Sequence, residues 1–205
     1  MNQLPKQIIA ISASFFILVM IFYGSYLPYK KSKTFIDSLN QLKTTQIKSF
    51  EQLDNIVSSS LKINSPIGQE ELVRQFLGIF TGFISQNENP EVIDVLVKYI
   101  KTYSDPILNR GKGLSFNQDL YLAIRLYLTA YEKTKDQKYL DEAKKYAELS
   151  YFLGPKRPQV LYSLFDIYRL ENNIEKAKEI GNQILTSWPD DENMKAAYDE
   201  LLKKK

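Results

Sequence analysis

Between Lys6 and Lys30 the chain runs for 23 residues without a formal charge, and no other feature restricts its fold so strongly. The centre of the run, from Ile8 to Phe22, is almost entirely aliphatic and aromatic. At about 1.5 Å per helical residue it spans roughly 34 Å, enough to cross the ~30 Å hydrocarbon core of a bilayer. Tyr23, Tyr26 and Tyr29 stand where an aromatic belt meets the headgroups, followed by Lys30, Lys31 and Lys33. A cleavable signal peptide needs small residues just after its apolar core. Here that region reads Phe22-Tyr23-Gly24-Ser25-Tyr26-Leu27-Pro28, and the tyrosines break every small-x-small register. A buried core helix is the other alternative, but a domain this small has nothing to cover so long an apolar run. The expectation is an uncleaved anchor whose partner is the lipid bilayer, through residues 7–29. The lysines after the run, read strictly by the positive-inside rule, place the C-terminal part in the cytoplasm.

Composition narrows the chemistry. The 205 residues include no cysteine and no histidine. Disulfides, thiol catalysis and Cys- or His-ligated metal sites are closed, and so is the Ser-His-Asp relay. The chain is therefore read as a non-enzyme with no cofactor and no metal. Lys plus Arg number 27 against 24 Asp plus Glu, a balance too even to suggest nucleic acid as a partner.

From residue 34 onward the hydrophobic period is helical. Leu72, Val73, Phe76, Leu77, Phe80, Phe83 and Ile84 form one stripe, and Asn89-Pro90 opens the next helix. Val92, Ile93, Leu96, Val97, Ile100 and Tyr103 form the second stripe. Asp105-Pro106 and Gly111-Lys112-Gly113 then mark a longer connection, and Ser115-Phe116-Asn117-Gln118 has the form of a capping box. Residues 34–62 read equally as one long helix or as a hairpin breaking near Thr44-Thr45.

Helix pairs with short breaks invite a search for repeats. Ala143 precedes Pro155 by 12 residues, as Ala177 precedes Pro189, and the two pairs are offset by 34. Upstream, Leu161, Leu164 and Tyr168 match Ile124, Tyr127 and Tyr131. The first repeat is three residues longer, an excess that residues 133–138 can absorb as an extended turn. A small alanine lets one helix approach its neighbour, aromatics fill the space between pairs, and proline ends the second helix. On these residues the chain resembles the tetratricopeptide repeat family, over about a third of its length. It departs from the pattern at Phe165, where a small residue is usual, at Gly181, where a large apolar one is usual, and at Ile184. The first repeat departs at Ala147 and Ser150. Asp54 and Pro66 repeat the 12-residue interval and read as a degenerate half-repeat.

After Pro189, Asp190-Asp191-Glu192-Asn193 starts a last helix with acids at its positive end and Lys203-Lys204-Lys205 at the other. Met194, Ala197, Tyr198, Leu201 and Leu202 give it one apolar face, as suits a cap. The fold class expected is all-α: an N-terminal transmembrane helix, then a tetratricopeptide-like α-solenoid of antiparallel helix pairs with a C-terminal capping helix. The divisions expected are an anchor over residues 1–29, a juxtamembrane amphipathic helix or hairpin over 30–64, a degenerate helix pair over 65–114, and two repeats plus cap over 115–205.

The order of elements also resembles the soluble tails of bacterial O-antigen ligase and polymerase-type membrane proteins. Those tails open with a lysine-bearing amphipathic helix and a Ser-Pro-x-Gly-x-x-Glu junction before their repeats. Ser65-Pro66-Ile67-Gly68-Gln69-Glu70-Glu71 stands at that junction here, and Gly154-Pro155-Lys156-Arg157-Pro158-Gln159 is similar to the link between repeats. The resemblance implies a detached tail, accessory to cell-surface glycan assembly, with the repeats outside the cytoplasm. It also implies a glycan-assembly membrane protein as partner.

The function expected is a single-pass, membrane-anchored scaffold that holds a protein partner near the bilayer; the glycan-assembly accessory is the alternative. By register, the inner faces of the first helices of each repeat supply the candidate peptide-binding groove: Leu122, Arg125 and Thr129, then Gln159, Tyr162, Asp166 and Arg169. Arginine and tyrosine suit carboxylate pairing and amphipathic contact, and merely solvated helix faces are the competing explanation. Gly111-Lys112-Gly113 lacks the spacing of a phosphate loop and reads as a turn. Asp190-Asp191-Glu192 reads as an acidic helix start rather than a cation site.

Overall fold

The computed structural model describes residues 3–47, 49–113 and 115–203, and among them all regular structure is helical. Lys204 and Lys205, counted above with the basic end of the last helix, lie outside the described residues. The chain divides into two compact units, Met1–Phe76 and Leu77–Lys205, which are taken one at a time.

In the first unit, α1 (Gln3–Ile21) passes through a wide π turn (Phe22–Tyr26) into α2 (Leu27–Thr44) without interruption. The apolar stretch belongs to a continuous helix from Lys6 to Thr44, 39 residues and about 58 Å long. Among the described residues it is the one helix long and apolar enough to cross a bilayer, and none of its apolar window is buried within the chain. The π turn has a local cause. Pro28 can give no N–H to residue 24, and its ring would crowd that carbonyl, so the ladder widens and Leu27 N–H reaches back to Phe22 O.

Beyond the apolar stretch, α2 turns three residues inward at i, i+4 and i+7. Lys31 is only 2% exposed, and its ammonium donates to Ile63 O at 3.0 Å and to the Gln69 side-chain carbonyl. The Phe35 ring meets the Phe76 ring edge-on at 5.3 Å. Ser38 Oγ lies 2.8 Å from Ile56 O and 3.1 Å from Ser59 Oγ. Residues 34–62 resolve as a hairpin: α2 stops at Thr44, and α3 (Phe50–Leu61) starts under a cap in which Ser49 Oγ accepts from Gln52 N–H. The core of this pair is Leu53, Ile56, Val57 and Leu61, while Phe50 is exposed. Because Lys31 points inward, the exposed cations of the flank are Lys30 and Lys33 alone.

A further helix, α4 (Gln69–Ser85), begins in the first unit and ends in the second. The second unit continues with α5 (Pro90–Arg110), α6 (Phe116–Thr134), α7 (Gln137–Leu153), α8 (Pro158–Leu170), α9 (Ile174–Ser187) and α10 (Glu192–Lys203). Phe80 of α4 stacks on Tyr99 of α5 at 5.6 Å. Each helix from α5 to α10 packs on the next, and α6 also touches α8. Short turns make neighbours antiparallel, so α5, α7 and α9 run alike. Cross-links agree: Lys138 and Tyr139 at the start of α7 reach Asp94 near the start of α5, and Tyr151 near the end of α7 reaches Gln183 near the end of α9.

The two alanines of the repeat signature, Ala143 and Ala177, are fully buried, as is Ala147. Two of the three departures in the second repeat, Phe165 and Gly181, compensate each other. Phe165 is 1% exposed, and a Cβ built on Gly181 would lie 3.1 Å from its ring and 2.5 Å from the Tyr198 ring. The bulk missing at residue 181 is supplied by residues 165 and 198, a volume-conserving exchange.

Four expectations are corrected. No connection begins at Asp105-Pro106, because α5 continues through Pro106 to Arg110. The exposed proline costs one helix bond, while burial of Ser104, Ile107 and Leu108 holds the last turn in place. The three extra residues of the first repeat lengthen the start of α7 instead of forming an extended turn: six helical residues precede Ala143 and three precede Ala177, and only Lys135 and Asp136 separate α6 from α7. Ser115 takes the N-cap place through its backbone carbonyl, accepting from the N–H groups of Gln118 and Asp119, without a side-chain cap bond. Val92 and Leu202, assigned to apolar stripes, are exposed.

Candidate functional site

The seven groove residues lie on α6 and α8, the two helices that touch across the intervening α7. Their apolar sides face the core through Ala123, Ile124 and Tyr127 on one helix and Leu161, Leu164, Phe165 and Tyr168 on the other. The seven residues stand at the exposed and half-buried positions between these. On α6, Arg125 is exposed, Leu122 and Thr129 are half-buried, and Thr129 Oγ1 donates to the Arg125 carbonyl at 2.9 Å. On α8, Gln159 and Asp166 are exposed, and Tyr162 and Arg169 are half-buried.

The α8 residues form a connected polar strip. Arg169 lies 3.8 Å from Asp166 and 3.9 Å from Glu200 of α10, with its guanidinium over the Phe165 ring at 5.4 Å. Tyr162 donates its hydroxyl to Asp191 and stacks on Trp188 at 6.4 Å. Asp191 in turn accepts from Met194 N–H at 2.9 Å, capping α10. Burial, then the Asp191 carboxylate, push the Tyr162 hydroxyl up to about 12, and the same hydrogen bond holds Asp191 below the usual range. The phenol is thus a fixed donor at neutral pH.

Asp166 is the informative residue. Its side chain is 59% exposed, yet desolvation by surrounding protein raises its pKa, with Glu132 of α6 adding to the effect and Arg169 opposing it. Arg125 forms no ion pair among the described residues, and its charge is available to a ligand.

Sequence register missed Trp188, Asp191 and Glu200, all of which join the strip. A signal was present: Glu200 lies 34 residues after Asp166, the same offset that relates the alanines and prolines. Among the described residues no group of three or more His, Cys, Asp or Glu could hold a metal ion. The surface offers hydrogen bonding, ion pairing and ring contact, which are means of binding. No family model matches this chain, and neither a curated protein nor a solved structure shows significant similarity to it.

Proposed function

We infer that this chain is a single-pass membrane scaffold whose C-terminal helices form a tetratricopeptide-like solenoid that holds an extended segment of a protein partner. The observation that carries this reading is the strip on α8 and α10, where Arg169 meets Asp166 and Glu200 and Tyr162 meets Asp191 and Trp188, together with exposed Arg125 on α6. A mixed set of two arginines, three acids and an aromatic pair suits an extended peptide, whose backbone and side chains need donors, acceptors and broad faces together. The 34-residue offset shared by Ala143/Ala177, Pro155/Pro189 and Asp166/Glu200 supports the repeat assignment. The fully buried alanines between adjacent helices support it as well.

The test is photo-crosslinking from residue 125 in cells, followed by identification of the adduct and titration of that partner's segment. Replacing Arg169 by alanine should weaken the segment about tenfold or more. Unchanged affinity in both Arg125→Ala and Arg169→Ala variants would remove the groove from consideration.

A second reading, accessory to O-antigen ligase or polymerase-type glycan assembly with the helices outside the cytoplasm, is favoured by one contact. The resemblance rests on a lysine-bearing helix and a Ser-Pro-x-Gly-x-x-Glu junction. Here Lys31 of that helix donates to Ile63 O and Gln69, on either side of Ser65-Pro66-Ile67-Gly68. The two pieces act as one structural element, which accounts for their occurring together. Protease digestion of the C-terminal helices in intact cells, with capture of a polytopic glycan transferase, is its test; full protection until lysis defeats it.

A further inference from the structure

The two ends of the helix layer in the second unit differ in chemistry. The turns after α5 and α7 lie at one end, since α5 and α7 run parallel. No acidic residue occurs between residues 106 and 118 or between 149 and 165, and these stretches carry Arg110, Lys112, Lys156 and Arg157. Lys112 and Lys156 are exposed, and Arg157 is half-buried, folded over Gly154 so closely that an added Cβ there would meet its Nε at 2.6 Å. The opposite end is different: its turns carry Glu88, Glu91, Glu132, Asp136, Glu171 and Glu175, several already paired with lysines. The third turn at the basic end, before α10, is acidic at Asp190 and Asp191, which confines the basic surface to the first two turns.

Beside these cations the last turn of α7 carries an apolar corner. Phe152 is 83% exposed, and Leu149 and Leu153 are exposed next to it. A phenyl ring so open to water at a helix end costs stability and solubility unless something covers it. Aromatic and aliphatic tips rimmed by lysine and arginine, with Glu148 one turn back along α7 and bonded to the Tyr168 hydroxyl, are the composition of a surface that seats in an anionic lipid interface.

We propose that the corner formed by Leu149, Phe152 and Leu153, with Lys112 and Lys156 beside it, docks onto an anionic bilayer surface. This rests on the reading of residues 7–29 as a membrane anchor, which keeps the second unit within reach of lipid. The apolar tips enter the interface while the lysines meet headgroup phosphates. Docking fixes the second unit against the membrane and leaves its α6–α8 strip to a partner.

The absence of cysteine gives a clean test on the full chain. Phe152→Cys and, as control, Glu175→Cys at the acidic end are each labelled with an environment-sensitive nitrobenzoxadiazole dye. The chains are reconstituted into phosphatidylcholine vesicles with and without phosphatidylglycerol, some bearing acyl-chain quenchers. Expected is a blue-shifted, lipid-quenched emission from residue 152 in the anionic vesicles and an aqueous emission from residue 175. Neutralising Lys112 and Lys156 to glutamine should lower the docking constant about fivefold each. An aqueous signal from residue 152 in vesicles that carry the protein overturns this proposal alone. A blue shift without lipid quenching means that protein covers the corner, and overturns it too. A chain that fails to float with the vesicles overturns the anchor and this proposal together.

Discussion

Lys31 offers the sharpest energetic test of the first unit. Its ammonium is buried with no carboxylate among the described residues to pair with it, and it bonds the Ile63 carbonyl and the Gln69 side chain. Replacement by alanine removes three methylenes of buried stem, about 2.4 kcal/mol at ~0.8 kcal/mol each. It also leaves two acceptors without their donor, a further cost of about 1–3 kcal/mol. Methionine keeps most of the stem, so Lys31→Met isolates the second cost. The damage should be local, because the bonds tie α2 to the segment between α3 and α4. Hydrogen exchange by mass spectrometry, on full-length protein in nanodiscs, reads this directly. In Lys31→Met, peptides covering residues 62–72 should exchange about 5–150-fold faster, the range that 1–3 kcal/mol implies. Lys31→Ala should exceed it, while peptides from α7 to α9 stay unchanged. Equal exchange in wild type and both variants would mean that Lys31 holds nothing, and the reasoning from its burial would be wrong.

Three further outcomes follow from the second unit. Gly181→Ala should destabilise by about 1–3 kcal/mol despite alanine's better helix propensity, because its Cβ meets the Tyr198 and Phe165 rings; Tyr198→Ala should relieve most of that loss in thermal melts. Hydrogen bonds from Lys98 and Lys138, with a third from Tyr139, hold the Asp94 carboxyl down at about 2, so its stabilising effect is complete above ~4 and disappears as pH falls toward 2. Asp94→Asn should therefore flatten that limb of a stability–pH profile, and an unchanged limb would exclude the carboxylate. Asp166 has the opposite sign: desolvation raises its pKa, so the contribution present at low pH is lost as pH rises through the folded value. Asp166→Asn should raise the melting temperature at neutral pH while weakening partner binding, as expected where stability is given up for a binding surface.

Much of the helical pattern was legible because apolar period and caps agreed. Asn89 caps α5 through a bond from Glu91 N–H, and Pro90 opens that helix as its position suggested. What failed were positions where tertiary burial overrides a local breaker. Pro106 is a helix terminator by propensity, yet two buried residues beyond it keep the turn helical. Lys31 shows another blind spot. A lysine among lysines reads as solvated, and nothing in its neighbours' types says that a distant carbonyl and glutamine will enclose it. At the candidate site, Asp166 and Arg169 meet because they stand one turn apart on α8, a spacing that helical register makes legible. Asp191, Trp188 and Glu200 were missed because α10 was read only as a cap, although the 34-residue offset reaches Glu200 from Asp166.

The most direct test of the scaffold reading is site-specific photo-crosslinking of the membrane-anchored chain in living cells, from residue 125 in the groove and from residue 175 outside it. The account predicts one discrete adduct from residue 125, absent from residue 175 and lost in Arg169→Ala. Adducts that are equal at both positions, or that persist when Arg169 is removed, would contradict it.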